Sequence, residues 1–501
     1  MKYIFLFTFL INFVLGFTQS IKFNKNYQDT SPVIRNIVVL DSGYVFVGGG
    51  GSPLSHLILT TDTLGNIKNT KKYTKQGYNL YHGLANSLKK ADSSTYILAG
   101  SLTQSGANNN AVLLYKFNSL FDTIWTKTFM TDTNYSAAQD CFYFKNNYYL
   151  LGANYTGNNN TDFLLIKTDT SGNFIWKKNY GGYSYEQGFK ISINNSLKIL
   201  LGGSTRSFYT TTQLQRDWYL VQTDTAGNQL WHNHYGHPDY DDKGVNGLIA
   251  TKDSGFLVSG NYVNFLWNEA WELYNGRLMK FNKNMEVEWD RQYSFGGSTI
   301  FKIVEEYENG DIAVLFNKID TTTTLPPYID RYCSGLLLID SLGNEKWHRV
   351  YYPYNNDTAY TTVGILETVK KTHDNGFIMC GWSNQSGQPQ QMWVVKTDSL
   401  GCDGYPPNCD TTNDISELLF HISDLNIFPN PALDFVSIAT IQNLQNSVIL
   451  ITDLFGKTLH SEIIHKNTNY IKINVQRFPR GVYVVCLTNK DNKSIGRFVK
   501  Y

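Results

Sequence analysis

Charge is scarce in this 501-residue sequence, and what there is cancels: 43 Lys and Arg face 42 Asp and Glu. A nucleic-acid partner needs a basic face, and electrostatic attachment to a membrane needs an excess of one sign, so the sequence argues against both. Long apolar runs are missing too. The one sustained run, Tyr3 to Leu15, is shorter than the ~20 residues that cross a bilayer as a helix. With Lys2 before it and Gly16-Phe17-Thr18 after it, it reads as a signal peptide over residues 1–18. No Cys follows it to carry a lipid, and no later segment is long enough to span a membrane once it is removed. Catalytic motifs are absent: no Gly-x-Ser-x-Gly, no His-Glu-x-x-His, no phosphate-binding glycine loop. No cofactor is therefore expected.

What is present is aromatic and repetitive. Aromatic residues make up 15% of the chain, with Tyr the commonest at 34, and Asn, Thr, Ser and Gly fill the segments between apolar runs. This composition suits an extracellular β-protein. One unit recurs, clearest as TDTSGNFIWKKNY from Thr168 to Tyr180. Asp169 opens a turn, Gly172 supplies positive φ, and Trp176 and Tyr180 share a face of the next strand. The turn residues Asp62, Asn118, Asp169, Asp224, Asn282, Asp340 and Asp398 start successive copies, about 50 to 60 residues apart. Each copy is preceded by a second hairpin arm, such as DSGFLVSG from Asp253. Four short strands per period, with little sign of helix, predict a β-propeller. The Asp-x-x-Gly spacing lacks the alternating acidic ligands of a Ca²⁺ loop, so Asx-turn capping explains it better.

The last copy breaks off after Gly401 without its Trp strand. The segment Phe23 to Tyr27, FNKNY, matches WKKNY of the third copy with Phe in place of Trp. Half a repeat at one end complements half a repeat at the other, as in a ring and not an open array. The expectation is an all-β chain: a seven-bladed propeller over 19–402 closed by the N-terminal strand, a linker over 403–424, and a small immunoglobulin-like β-sandwich over 425–501. Among the six cysteines, Cys402 and Cys409 bracket DGYPPN and are expected to form a disulfide. Cys380 and Cys486 lie in strands and read as buried thiols.

Strand alternation puts short uniform turns on one face and long, variable, aromatic loops on the other, where binding is expected. Trp267, Trp271 and Tyr274 recur at helical spacing in the loop from Asn261 to Tyr274, which suggests either a short rim helix capping the blade core or an aromatic platform for sugar or protein. Tyr328 and Arg331 come from another such loop, and Tyr185, Tyr240 and Asp241 from the connections between repeats. The run HNHYGHPDYDD, His232 to Asp242, is the one metal-like cluster. The third copy has Lys177 and Asn179 where this one has His232 and His234, so these positions read as solvent-facing and no metal is expected. The function indicated is a non-enzymatic binding or adhesion module for an extracellular protein or glycan. The alternative is a polysaccharide hydrolase or lyase using carboxylates in the central funnel.

The C-terminal segment carries Pro429-Asn430-Pro431 before the apolar strand Phe435 to Ile438. It continues with Thr452 to Lys457, containing Asp453 and Gly456, then with Phe478 to Tyr483, containing Gly481 and Tyr483, and ends on a basic-apolar tail that includes Lys500. This pattern resembles the type A C-terminal sorting domain of Bacteroidota type IX secretion cargo. The resemblance covers residues 425–501 and departs from the family only at Phe478-Pro479-Arg480. It implies recognition by the type IX secretion machinery and a secreted or outer-surface destination. The repeats resemble, more loosely, propeller repeats found upstream of such domains.

Overall fold

A computed structural model describes residues 20–27, 33–51, 54–107, 109–130, 135–157, 160–208, 216–236, 242–266, 272–295, 297–321, 330–353, 362–385, 388–404, 425–439, 444, 447–453, 458–488 and 493–501. The expected signal peptide, Cys409 and Gly456 lie outside them. The chain forms two compact units, 1–408 and 409–501.

The first unit is built from antiparallel groups of short strands, among the described residues without helix. Four-stranded sheets cover 33–73, 136–180, 186–235 and 245–293, each with its strands paired in chain order. The 78–129 sheet is the same arrangement with its first strand broken into Tyr78–His82 and Leu88–Lys90. The groups 298–351 and 362–397 are joined into one sheet by a parallel bridge, Tyr332 to Val363. Equivalent parallel bridges, Asn110 to Tyr135 and Thr161 to Tyr185, link other neighbouring sheets. The Phe23–Tyr27 strand pairs antiparallel with Gln391–Thr397 and completes the 362–397 group, as the sequence predicts.

Apolar clusters fill the spaces between consecutive sheets. Tyr149, Leu151, Phe163 and Leu165 meet Ile191, Ile199, Leu201 and Tyr219 of the next sheet. Phe23, Tyr27, Ile378 and Met392, at the end of the series, pack with Ile34, Tyr44, Phe46 and Leu59 at its start. Burying such side chains is worth roughly 1.5 to 3 kcal/mol each, so these inter-sheet layers dominate the stability of the unit.

The repeat motif acts between sheets. The Asp169 carboxylate accepts from the Ser171 and Asn173 backbone N–H groups at 2.9 and 2.8 Å, the Asx turn expected. Gly172 sits at φ +75°, and a Cβ there would lie 2.9 Å from the ring of Trp125 in the preceding sheet. Gly227 stands in the same relation to Trp176, Gly401 to Trp347, and Gly65 to Phe23. In several copies the Tyr hydroxyl that ends the motif then donates to the turn of the following sheet: Tyr180 to Gly227 at 2.7 Å, Tyr293 to Gly343 at 2.6 Å, Tyr351 to Gly401 at 2.8 Å. Tyr27 donates to the Gly65 carbonyl at 2.7 Å, so the same latch joins the end of the series to its start.

Two expectations change. The supposed loop from Asn261 to Tyr274 is mostly strand: Phe256–Leu266 pairs with Glu272–Phe281 up to Leu266–Glu272. The described part is therefore a long hairpin with Tyr274 in its second strand, and Trp267 and Trp271, which with Tyr274 suggested a rim helix, lie outside the described residues. The supposed loop from Asn317 to Ser334 is likewise shortened by Ile312–Thr321 and Asp330–Ile339. Among the cysteines, Cys402 is disulfide-bonded, Cys380 is buried, and Cys486 is only half-buried.

In the second unit, strands Asn426–Phe428, Phe435–Ala439 and Tyr470–Asn474 form one sheet, and Thr458–Ile464, Ser447–Asp453, Gly481–Thr488 and Lys493–Lys500 form another. Val436, Ile438, Ile449, Ile451, Tyr483, Val485 and Phe498 share one core. The Pro429-Asn430-Pro431 motif holds the C-terminal strand: Asn430 Oδ1 accepts from Val499 N at 2.9 Å, and Ala432 N donates to Val499 O at 2.7 Å. Tyr483 donates to Pro479 O at 2.6 Å and stacks on Phe498 at 5.5 Å.

Candidate functional site

The first strand of a sheet carries a bulge in most repeats. The register skips Arg35, Gln139, Phe189, Asn246, Lys302-Ile303 and Glu367. A bulge breaks the two-residue alternation and re-aims a side chain. In the 78–129 sheet the break is larger, and residues 83–87 leave the strand altogether.

Segment 83–87 forms a plug packed against the first strands of several sheets. Leu84 N donates to Gln139 O at 2.8 Å, and Asn86 N donates to Arg35 O at 3.0 Å, so both bulges anchor it. Lys190 Nζ donates to Ala85 O, and Ala85 packs among Ile303, Leu366 and Val369. One segment thus touches the inner strands of sheets far apart in sequence. Burial lowers the Lys190 pKa to about 8. The carboxylates nearby pair with lysines: Asp140 with Lys89 at 3.5 Å, Glu367 with Lys302 at 3.5 Å, and Glu305 with Lys370.

Beside this plug lies a pocket of about 740 Å³ lined in part by Arg35, Tyr81, His82, Thr103, Tyr135 and Gln139. Leu84 of the plug, Ser101, Ala107, Asn110 and Ala137 complete the lining. Arg35, Tyr135 and Gln139 start inner strands, whereas Ser101, Thr103 and Asn110 flank the turn between the second and third strands. The pocket therefore opens on the face of variable connections. Tyr81 is 41% exposed. The Thr103 hydroxyl donates to the Asn110 side-chain oxygen. His82 Nδ1 lies 2.8 Å from the Gly83 carbonyl, and burial, then the Arg35 charge, holds its pKa down to about 4. Behind it His56 is fully buried, its pKa lowered to about 3 by burial and then by His82. Both imidazoles are neutral at neutral pH.

The residues singled out in the sequence fall unevenly. Tyr185 is half-buried next to the pocket: its pKa is raised by burial and then by Tyr135, and the Arg206 guanidinium lies 5.6 Å from its ring. Tyr274 is 8% exposed, opposite Val263 in the long hairpin, with Lys243 5.9 Å from its ring. It is a covered side chain and not an open platform. Trp267, Trp271, Tyr328, Tyr240 and Asp241 lie outside the described residues, and Arg331 is described in backbone only. His234 pairs with Asp217 at 2.8 Å and stacks on Phe208 at 5.3 Å.

Sequence reasoning missed Arg35, Tyr81, His82 and Gln139. A signal existed for two of them. Arg35-Asn36 and Gln139-Asp140 are adjacent polar pairs inside apolar strands, where alternation allows only one outward residue.

A second polar cluster lies between the 136–180 and 186–235 sheets. Glu186 Oε1 accepts from Thr205 at 2.6 Å and from Ser207, and Oε2 accepts from Gly182 N at 3.0 Å. Asp162 has its pKa pushed up to about 6 by burial and then by Glu186. Glu186 is fully buried and its oxygens are occupied, so the pair fixes the Gly182 turn.

The Secretion system C-terminal sorting domain family matches residues 426–501. The chain is type IX secretion cargo, and it is secreted or displayed at the cell surface. No curated protein matches it. Among solved structures it is similar to PorZ of Porphyromonas gingivalis, a surface component of the type IX secretion system, at 10% identity and TM-score 0.29 over 93% of this chain and 81% of that one. It is also similar to a subtype N11 neuraminidase-like protein of A/flat-faced bat/Peru/033/2010, at 11% identity and TM-score 0.35 over 65% of this chain and 95% of that one. The GH93 α-L-arabinofuranosidase of Fusarium graminearum matches at 11% identity and TM-score 0.38 over 75% and 97%. At these scores the neighbours carry no argument about function.

Proposed function

We propose that this protein is a binding or adhesion module of a Bacteroidota cell surface, which takes up an extracellular protein or glycan without catalysis. Its working part is a seven-bladed propeller over residues 19–402, closed by the Phe23–Tyr27 strand and followed by a linker. An immunoglobulin-like sandwich over 425–501 serves as the address read by the secretion machinery. The observation that carries the binding reading is the pocket beside a plugged centre. The central carboxylates are consumed by lysines, and a glycosidase needs two carboxyl groups flanking an accessible bond. The Asp162–Glu186 pair favours the hydrolase or lyase alternative through the raised Asp162 pKa, but a Glu186 without solvent access cannot deliver or take a proton from a polysaccharide.

The test is a retention and turnover screen of the exported chain against polysaccharides and host glycoproteins, with and without Ca²⁺. Retention without released sugar is expected. Released sugar that disappears in Asp162→Asn would overturn the reading in favour of the enzyme.

A further inference from the structure

We propose that the pocket formed by Arg35, Tyr81, His82, Thr103, Tyr135 and Gln139 is a receptor for an acidic saccharide, with Arg35 holding its carboxylate. This rests on the binding reading above and names the ligand class.

The argument starts at Arg35. Its guanidinium carries a positive charge and five N–H donors, yet it makes no ion pair or side-chain hydrogen bond with any described residue, and its Nε is buried and unsatisfied. Two other cations of the same unit are matched by carboxylates, buried Arg277 by Asp290 at 2.7 Å and half-buried Lys302 by Glu367 at 3.5 Å. The described lining contains no Asp or Glu at all. Nor is His82 a competing cation at neutral pH, because burial and Arg35 keep it neutral. The pocket therefore presents one unmatched positive charge in a recess, a place for one anionic group.

The shape of the charge selects among anions. A planar guanidinium fits a carboxylate through two parallel hydrogen bonds. A phosphate site is ordinarily assembled from a helix N-terminus or a nest of backbone N–H groups, and no helix occurs among the described residues. The rest of the lining selects a sugar as the carrier. Tyr81 and Tyr135 belong to the lining, and aromatic rings suit the apolar face of a pyranose. Ser101, Thr103, Asn110 and Gln139 supply hydroxyl and amide partners for ring hydroxyls. Asn110 is already oriented: its oxygen accepts from Thr103, which leaves its amide N–H groups to donate. About 740 Å³ is within the range that encloses a small ligand. The floor is fixed as well, because the backbones of Arg35 and Gln139 are bonded to the plug that supplies Leu84.

The test is calorimetric titration of the exported chain with trigalacturonate, with its methyl ester, and with the tripeptide Gly-Tyr-Tyr carrying a free C-terminus. The acid trimer is expected to bind, the ester at least tenfold more weakly. Arg35→Ala should lose at least tenfold for the acid and little for the ester, with thermal unfolding used to confirm that the variant folds. Tyr81→Ala, at an exposed position, should weaken acid and ester alike. Equal binding of acid and ester would overturn the proposal, as would tighter binding of the tripeptide or no binding of either trimer. In the last case, retention of a neutral glycan or a glycoprotein in the wider screen would leave the binding module standing and remove only its acidic ligand.

Discussion

At the scale of single residues, the repeat is a device for joining neighbours. The turn glycine combines two demands, a left-handed backbone and room for an aromatic ring from the sheet before it. Gly172 has both, with φ +75° and Trp125 2.9 Å from where a Cβ would stand, whereas Gly310 has only the first, with φ +84° and nothing within 4 Å. Gly310→Ala should cost about 1 kcal/mol through backbone strain, and Gly172→Ala a further ~1 to 3 kcal/mol through displacement of the ring. Urea unfolding of the two variants measures the difference, and equal losses would remove the latch from the account. The turn Asp, the Gly and the Trp were all legible in the sequence, but as parts of one hairpin. Their partners sit a full repeat away, a distance over which no local pattern speaks.

At the scale of elements, the N-terminal strand shows what sequence can give. FNKNY repeated WKKNY closely enough to place it against the last group of strands, and its register with Met392–Lys396 bears that out. Tyr27→Phe should cost about 1 kcal/mol by removing the buried bond to Gly65. Deleting residues up to Tyr27 should cost far more, since Phe23 and Asn24 also leave Tyr44, Tyr352 and Trp393. The 83–87 plug, by contrast, was not legible. Its residues carry no turn signal out of the ordinary, and its partners Gln139, Lys190 and Leu366 come from three other repeats. Two neighbouring sheets beside the pocket, 33–73 and 78–129, hold a pH dependence. His56 and His82 have folded pKa values of about 3 and 4, below the usual 6.5. The unfolded chain therefore takes up protons first as pH falls. Stability should be complete above pH ~6.5 and fall toward pH ~4, by at most roughly 1.4 kcal/mol per pH unit for each histidine. Denaturant midpoints of wild type and His82→Phe across that window would show it, and parallel curves would contradict it.

At the scale of the whole molecule, the sorting domain and the proposed binding pocket lie in different parts of the chain. The sorting domain was readable at once, because its motif residues do a local job: Asn430 secures the terminal strand through Val499 and Arg497. Asn430→Ala should lower the unfolding midpoint of that unit by an amount equivalent to ~1 to 2 kcal/mol and reduce the chain recovered outside the cell. Equal recovery with a lowered midpoint would separate the fold of the domain from its recognition. The surface proposed to bind was only half readable. The pocket opens on the face where the sequence placed its variable connections, and Tyr185, one of the residues singled out there, lies at its edge. The residues that line the pocket were hidden, since their placement depends on bulges and on a segment crossing the centre.

The most direct check on the central claim is hydroxyl-radical footprinting of the exported chain with and without a ligand retained in the screen. The account predicts protection of Tyr81 and Tyr135, with Leu120 and Phe174 on the opposite turns unchanged. Protection confined to those turns, with Tyr81 oxidised equally in both samples, would contradict it.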